Sequence, residues 1–212
     1  MVSRARDPRT QIVERGYDTI ARTYADWSAA IEDDPRFELA NDLVGRLAAG
    51  ARVLDLGCGA GVPTTAFLAE RFHVTGVDIS TEQLRRAREN VPNVDLIHAD
   101  IVELDLSAAT FDAVTAFYSL THLPRERLET MFRRIATWLV PGGLFLASLG
   151  ADGGDDWTGE WLGTKMFFSS FDADTNRRLL MDLGFELDRD EVITMREPEG
   201  PVAFLWVLAR KV

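Results

Sequence analysis

The strongest constraint on the fold is a regular alternation of strand-like and helix-like segments. Short apolar runs typical of buried strands are RVLDL (52–56), HVTGVDI (73–79), VDLIHAD (94–100), FDAVTAFY (111–118) and LFLASL (144–149). Helical patterns precede or separate them at residues 37–49, 64–70, 81–90 and 125–139. Strands that alternate with helices predict a parallel sheet with right-handed crossovers and helices on both faces.

The C-terminal segment has a different pattern. After a further helix, the runs FELDRDEVIT (185–194) and VAFLWVLAR (202–210) are separated by a short segment that contains proline and glycine. Two strands joined by a short turn must be antiparallel. We therefore predict a single α/β domain over residues 1–212, with residues 1–15 as a frayed tail. Its fold is a Rossmann-like, seven-stranded, mostly parallel sheet with helices on both faces and a C-terminal antiparallel hairpin strand.

A glycine-rich loop follows the first predicted strand. In LDLGCGAG, Asp55 precedes Gly57, Gly59 and Gly61. Ligands of open α/β sheets bind at the carboxyl ends of strands, where glycines allow close approach and the loop offers backbone N–H groups. A dinucleotide site favours the spacing G-x-G-x-x-G, whereas the spacing here is G-x-G-x-G. A carboxylate at position 55 suits a ligand with a positive group better than a pyrophosphate.

The ordered set of motifs resembles that of class I S-adenosylmethionine-dependent methyltransferases. LDLGCGAG resembles their first motif, VTGVDIS the second, HAD (98–100) the third, FDAVTAFYSL the fourth and LVPGG the fifth. GYDTIARTYAD (16–26) resembles the entry segment of the small-molecule branch that includes the menaquinone and ubiquinone C-methyltransferases. The resemblance spans about residues 16–150. It implies S-adenosyl-L-methionine as cofactor and in-line methyl transfer to a small-molecule acceptor.

The resemblance also implies roles for residues at the ends of strands. Asp55 is expected to face the amino end of the methionine moiety, Asp78 to accept from the ribose hydroxyls, and Asp100 to accept from the adenine amino group. The other implied cofactor contacts are Tyr24, Gly57, Cys58, Gly59, Gly61, Ile79, Ile101 and Phe117. Alternatives remain open for two of these residues, because Cys58 also fits as a small filler in the loop and Tyr24 as a helix-packing residue.

The acceptor side of the predicted site depends on residues after the fourth strand. His122 lies where this fold places groups that face the acceptor, and an imidazole near its normal pKa can act as a general base. The alternative is a histidine that packs against the start of the helix at 125–139. Tyr17 and Tyr118 are the other predicted acceptor contacts from this region and from the N-terminal segment.

Residues 151–171 form a long connection with no strand or helix signal of its own. Connections of this length are often functional lids, so we predict an acceptor lid here. Trp157 and Trp161 are its predicted acceptor-binding residues. Aromatic and acidic residues in the segment favour a cationic or neutral aromatic acceptor over a polyanionic one.

Composition limits the possible partners. The net charge of −11 argues against nucleic acid or an anionic membrane surface, because both need cationic side chains. The single cysteine excludes an intramolecular disulfide, and with three histidines in the chain we predict no metal site. The first residues lack the apolar core of a secretion signal, which predicts a cytoplasmic location. The oligomeric state is left open.

Three alternatives compete with an active methyltransferase. A catalytically silent S-adenosylmethionine-binding accessory protein would carry the same cofactor motifs. A nucleotide-dependent dehydrogenase is disfavoured by the glycine spacing and by Asp55. Aminopropyl transfer fits poorly with a carboxylate kept for an amino-acid end. Nitrogen, oxygen and carbon acceptors all remain possible.

Overall fold

The predicted alternation is present in the computed structural model, which describes residues 6–212. The helices are α1 (Pro8–Ala29), α2 (Arg36–Arg46), α3 (Thr64–Ala69), α4 (Thr81–Asn90), α5 (Arg125–Trp138) and α6 (Ala173–Asp182). The strands are β1 (Arg52–Leu56), β2 (His73–Asp78), β3 (Asp95–His98), β4 (Phe111–Ala116), β5 (Leu139–Gly150), β6 (Trp157–Trp161), β7 (Thr164–Phe168), β8 (Phe185–Glu197) and β9 (Gly200–Lys211). None of the helices in this range is long and apolar enough to cross a bilayer.

Seven of the strands form one sheet in the order β3-β2-β1-β4-β5-β9-β8. The pairs β1–β2, β1–β4, β2–β3 and β4–β5 are parallel. Strand β9 pairs antiparallel with both β5 and β8. The chain runs outward from β1 to β3 and then returns to β4 on the other side of β1, so the strand order reverses between β1 and β4. The predicted Rossmann-like sheet with a C-terminal antiparallel hairpin is confirmed.

Each face of the sheet carries its own hydrophobic core, because side chains alternate in direction along a strand. On one face, Leu54 and Leu56 of β1 lie in a core with Phe132 of α5. On the other face, Val53 lies in a core with Leu39 of α2. The sheet is therefore covered on both sides, as the near-continuous apolar character of its parallel strands predicts.

The largest boundary difference concerns β5, which was predicted to begin after the PGG turn at residues 141–143. In the structure β5 begins at Leu139 and continues through these residues. Phe111 pairs with Leu139, but Ala113 pairs with Leu144, so the PGG segment is an irregularity within the strand. Gly142 has a φ of +76°, which only glycine adopts at little cost.

The N-terminal helix α1 begins inside the segment that was predicted to be a frayed tail. Asp7 is its N-cap, because the side chain accepts a hydrogen bond from the Arg9 backbone N–H at 2.9 Å. Pro8 occupies the first helical turn, a position that tolerates its missing N–H. The predicted frayed tail over residues 1–15 is therefore wrong from Pro8 onward. Residues 1–5 lie outside the described part of the chain.

Residues 151–171 contain a hairpin that was not predicted. Strands β6 and β7 pair antiparallel around a turn at Leu162 and Gly163, whose φ values are +49° and +80°. A two-residue hairpin turn needs such values, and leucine is an uncommon choice there, so the sequence carried no clear turn signal. Met166 and Phe167 of β7 are buried in a cluster with residues of α1. The segment predicted as a lid is thus a hairpin docked on α1.

Two aromatic residues of this hairpin allow a matched test of the docking. Phe167 is 1% exposed, so Phe167→Ala should lower the free energy of unfolding by ~3–5 kcal/mol through lost burial and cavity formation. Trp157 is 45% exposed, so Trp157→Ala should cost about 1 kcal/mol or less. Denaturant melts of both variants measure these changes. Equal losses for the two variants would contradict the docked arrangement.

Candidate active site

A cavity of about 610 Å³ opens at the carboxyl ends of β1, β2 and β4. This is the point where the strand order reverses, and ligands of open α/β sheets bind at such switch points. Helix α1 and the start of α2 form the opposite wall. Asp18 ties α1 to the loop after β2, because its carboxylate accepts from Ser80 Oγ at 2.7 Å and from the Glu82 N–H at 3.1 Å.

All but one of the sequence-predicted cofactor residues surround this cavity. Those that line it are Tyr24, Asp55, Gly57, Cys58, Gly59, Asp78, Ile79, Asp100, Ile101 and Phe117. Gly61 does not line it, and faces α4 instead. A Cβ at Gly61 would lie 2.6 Å from Val91 Cγ2, so this glycine lets the loop pack closely on α4. The placement gives Gly61 a packing role in place of the predicted cofactor contact.

The N–H groups of the glycine loop are already used within the protein. Gly57 and Cys58 both donate to one carbonyl oxygen of β2, at 2.7 and 3.0 Å. Gly59 donates to Asp78 Oδ2 at 2.8 Å. The expectation that these groups are offered to a ligand is therefore wrong. Gly57 instead permits close approach, since its φ is +77° and a Cβ there would overlap the side chain of Ser119.

Asp55 ends β1 and is buried beneath the loop. Its two carboxylate oxygens accept hydrogen bonds from Thr65 Oγ1 at 2.6 Å and Thr115 Oγ1 at 2.7 Å. Burial raises the pKa of Asp55, while the two hydroxyl groups and the charge of Arg36 oppose that rise. The threonines fix the orientation of the carboxylate, so it can attract a cationic group without moving.

Asp78 ends β2 and joins two neighbouring backbone segments. One carboxylate oxygen accepts from the Gly59 N–H, and the other accepts from the Ser80 N–H at 2.8 Å. Burial raises the pKa of Asp78 to about 6, although these two N–H groups act in the opposite direction. Each oxygen keeps a further lone pair, so the carboxylate can also accept from hydroxyl groups of a ligand in the cavity.

The remaining predicted polar groups of the cavity are Asp100 and Cys58. Asp100 accepts from the Val102 N–H at 3.1 Å, and burial raises its pKa. Burial also raises the pKa of the Cys58 thiol well above its usual range, which keeps it neutral. Over the described residues 6–212, no group of three or more histidine, cysteine or acidic side chains is arranged to hold a metal ion.

Two cavity residues had no role in the sequence analysis. Arg36 begins α2, and its Nε donates to Asp34 Oδ2 at 2.6 Å while its guanidinium lies 5.0 Å from the ring centroid of Tyr118. Gln83 is 2% exposed and its Nε2 has no hydrogen-bond partner among the described residues. No motif marks Arg36, since its position depends on how α2 packs.

Ser80 and Gln83 have the spacing of a capping box, with Ser80 as the N-cap of α4. Half of the box forms, because Ser80 Oγ accepts from the Gln83 N–H at 3.1 Å. The reciprocal bond is replaced, since the Ser80 N–H donates to Asp78. The Gln83 side chain is thereby released to line the cavity.

A second cavity of about 260 Å³ adjoins the first. The residues common to both cavities are Tyr17, Tyr24, Ile31, Tyr118 and His122. All the predicted acceptor residues except Trp157 therefore line at least one cavity, because Trp161 lines the second. Trp157 is 45% exposed and packs against Phe168, with ring centroids 5.8 Å apart. The structure does not bring Trp157 into the predicted acceptor pocket.

His122 is held through both ring nitrogens. Nδ1 lies 2.8 Å from the Phe167 carbonyl oxygen, which can only accept, so Nδ1 carries the proton. Nε2 then accepts from the Tyr17 hydroxyl at 2.8 Å. Burial lowers the pKa of His122 to about 4. The expectation of an imidazole near its normal pKa is therefore wrong, and the ring is neutral at neutral pH.

Comparisons with known proteins agree with this arrangement. Residues 53–143 match a family model described as a methyltransferase domain. The chain is 33% identical over 157 residues to 27-O-demethylrifamycin SV methyltransferase of Amycolatopsis mediterranei, covering 64% of this chain and 57% of that protein. It is 39% identical over 108 residues to a ubiquinone biosynthesis O-methyltransferase of Aromatoleum aromaticum, covering 46% of each. The chain thus spans about half the length of these curated relatives.

A solved structure has the same fold over the whole chain. It is the Burkholderia thailandensis 1,6-didemethyltoxoflavin-N1-methyltransferase with bound 1,6-didemethyltoxoflavin and S-adenosylhomocysteine. The TM-score is 0.75 at 22% identity, covering 100% of this chain and 93% of that one. Sheet order and switch-point cavity define a Rossmann-like ligand-binding domain. Residues 53–143 of this domain match the methyltransferase family model, in agreement with the resemblance of the motifs to S-adenosylmethionine-dependent methyltransferases.

The tautomer and the pKa of His122 can be measured directly. Nitrogen-15 spectra of the imidazole should show a neutral ring protonated at Nδ1 at neutral pH, with the His122→Asn variant assigning the signal. Because the native pKa of about 4 lies below the reference value of 6.5, the stability contributed by neutral His122 is present above about pH 6.5 and is lost as pH falls through 4. A titration midpoint near neutrality would contradict the geometry.

Proposed function

We propose that the protein binds S-adenosylmethionine in the larger cavity and transfers its methyl group to a small molecule held in the smaller one. The observation that carries this proposal is the continuity of the two cavities. They share Tyr17, Tyr118 and His122, and the larger one gathers the strand-end carboxylates. A donor and an acceptor bound on either side of the shared residues would be adjacent, which is the main requirement of a direct displacement.

We assign each part of the cofactor to the cavity residue whose charge and hydrogen-bonding capacity match it. Asp78 accepts from the ribose hydroxyls, and Asp100 accepts from the adenine amino group between Ile79 and Ile101. These assignments are supported by the burial of both carboxylates at the ends of adjacent parallel strands. Asp78 is already fixed by two N–H donors, so it needs no reorganisation to bind a diol.

The methionine end needs groups of both signs, because it carries an ammonium and a carboxylate. Asp55 attracts the ammonium. Arg36 binds the carboxylate through its terminal guanidinium nitrogens, since its Nε is the atom that pairs with Asp34. The charge of Arg36 acts on Asp55, which supports placing the two groups at one end of the cavity.

The residues present fit this cofactor. Gln83 Nε2 is a buried donor with no partner among the described residues, and a ligand oxygen in the cavity would satisfy it. A Cβ at position 57 would overlap Ser119, so glycine at this position lets the loop pack on this residue, which follows β4 at the cavity wall. S-adenosylmethionine, when bound, supplies a methyl group activated on a sulfonium, with a neutral thioether as leaving group.

We assign Tyr17 and His122 to positioning at the boundary between donor and acceptor. Neutral His122 accepts from the Tyr17 hydroxyl at 2.8 Å, which leaves the lone pairs of that hydroxyl oxygen available to an acceptor. Because the pKa of His122 is lowered to about 4, we do not assign it the role of a free general base. An acceptor that must lose a proton can release it to water.

The acceptor class, the absence of a nucleic-acid partner and the location remain predictions. Two of the similar proteins are named for rifamycin and toxoflavin derivatives, which supports a small organic acceptor. The net charge of −11 still opposes a nucleic-acid partner. The cytoplasmic location stays a prediction from the sequence.

Calorimetry and a product assay test the proposal together. S-adenosylmethionine and S-adenosylhomocysteine should bind, NAD should not, and a metabolite screen should give an acceptor-dependent release of S-adenosylhomocysteine. Binding of NAD without binding of either sulfur-containing ligand would contradict the proposal. Cofactor binding without turnover on any acceptor would favour the silent accessory protein.

The ribose assignment predicts a pH-dependent affinity. Hydroxyl groups donate to an ionised carboxylate, so the affinity for S-adenosylhomocysteine should fall as pH drops through the Asp78 pKa of about 6. Without ligand the sign is opposite, because this raised pKa contributes stability that is present below pH 3.8 and is lost as pH rises through 6. Asp78→Asn should weaken binding roughly 10–150-fold and remove this pH dependence.

Glu82→Gln is the matched control, since Glu82 is a carboxylate on the neighbouring helix that does not line the cavity. It should leave both the affinity and its pH dependence unchanged. A melt of each variant confirms folding, because Asp78 also accepts from Gly59 and Ser80. Wild-type affinity in folded Asp78→Asn would place the ribose elsewhere.

A further inference from the structure

The smaller cavity is walled mainly by aromatic side chains. The aromatic rings that line it are Tyr17, Tyr24, Trp27, Tyr118, His122, Trp161, Phe168 and Phe204. On one side, Tyr24 stacks on Trp27 at 5.9 Å between ring centroids, and Trp161 meets Trp27 edge-on at 5.2 Å. Another pair, Tyr118 and Phe204, is 5.2 Å apart. A wall of this composition can bind flat apolar groups, and electron-rich ring faces also attract cations.

Charge distinguishes these two possibilities. The charged side chains that line the smaller cavity are Asp152 and Glu197, and no arginine or lysine lines it within the described chain. Asp152 is exposed, whereas Glu197, the last residue of β8, is half-buried. Glu197 forms no ion pair among the described residues, and no hydrogen bond opposes the effect of burial on its carboxyl group.

The position of Glu197 is fixed by the backbone around it. Arg196, the preceding residue, exchanges backbone hydrogen bonds with Glu32 at 3.0 and 3.2 Å. This bridge ties the α1–α2 connection to the tip of the β8–β9 hairpin. Trp27 Nε1 donates to Glu199 at 2.7 Å, which holds the indole of the wall in place. Glu199 therefore has a side-chain partner, whereas the Glu197 carboxylate has none among the described residues.

Burial raises the pKa of Glu197 to about 7, with the nearby Glu199 acting in the same direction. Burial raises the pKa values of Tyr17 and Tyr24, which line both cavities, and the charge of Glu197 adds a smaller contribution in the same direction. A carboxylate held in an apolar wall without a cation is unfavourable for the free protein. A positively charged ligand would reverse that cost, and a neutral aromatic ligand would not.

We propose that the acceptor carries an organic ammonium group, which binds in the smaller cavity between the Glu197 carboxylate and the aromatic wall. This inference rests on the proposed function and names the substrate class for it. The combination of an aromatic wall with one carboxylate is a general way to recognise ammonium groups. The anionic residues Asp155, Asp156 and Glu160 of the hairpin segment take no part, because they do not line the cavity. Asp156 instead pairs with Arg125 at 3.2 Å.

Two matched pairs of probes test the proposal. Phenethylamine is compared with phenethyl alcohol, and choline with its uncharged carbon analogue dimethylbutanol, by calorimetry on protein saturated with S-adenosylhomocysteine. The pH is set at roughly 8, above the Glu197 pKa of about 7, so that the carboxylate is ionised. At least one ammonium probe should bind on the order of tenfold more tightly than its neutral partner.

Glu197→Gln keeps the size of the side chain and removes its charge, so it should bring the affinity ratio of each pair close to one. Glu191→Gln is the control, because Glu191 lies on the same strand, is exposed and does not line the cavity. It should leave the ratio unchanged. Equal affinities within both pairs, a ratio that survives Glu197→Gln, or no binding of either ammonium probe would overturn the proposal.

The first titration separates this inference from the function on which it rests. If S-adenosylhomocysteine does not bind the wild-type protein, the proposed function fails. If it binds wild type and Glu197→Gln equally well, but no ammonium preference is found, the substrate class alone is wrong.

Discussion

The site depends on two hydrogen bonds that the Asp78 carboxylate accepts. This carboxylate lies at the end of β2, where its two oxygens accept from the Gly59 and Ser80 N–H groups. One bond holds the glycine loop after β1, and the other holds the start of α4. These bonds use the Gly59 and Ser80 N–H groups, while the Gly57 and Cys58 N–H groups donate to the Val77 carbonyl. The carboxylates of the cavity can therefore accept from hydroxyl, amino and ammonium groups of a ligand.

Helix α1 turns this sheet edge into an enclosed site. Asp18 of α1 binds Ser80 in the loop after β2, and Tyr17 of α1 binds His122 after β4. One helix therefore contacts the loops that follow two different strands of the sheet. The β6–β7 hairpin packs on α1 and contributes Trp161 and Phe168 to the smaller cavity. The Phe167 carbonyl of that hairpin holds His122 Nδ1 at 2.8 Å. Helix α1 therefore contacts both cavities and the β6–β7 hairpin, so these parts of the site help to fix one another's positions.

Much of the fold and of the cofactor side followed from local patterns. β1 has the predicted bounds, as does α4, because strand and helix periodicities are strong there and Ser80 supplies an N-cap. Asp55, Asp78 and Asp100 meet around one cavity because parallel strands end at the same edge of a sheet. The turn at Leu162 was missed, since leucine rarely adopts a positive φ and no local signal marks such a case.

The sequence by itself determined the order of strands and helices, the glycine loop and the motifs that resemble those of methyltransferases, because each depends on residues close together along the chain. Tertiary structure alone decided the protonation of His122, the placement of Arg36 and the isolation of Glu197. Each of these depends on burial and on partners far away in sequence. Tyr17 and Phe167, both distant in sequence, hold the two ring nitrogens of His122, and the aromatic residues of the cavity that Glu197 lines come from four separate parts of the chain. Periodicity reports which face of an element is buried, but it does not report which side chains will share that burial.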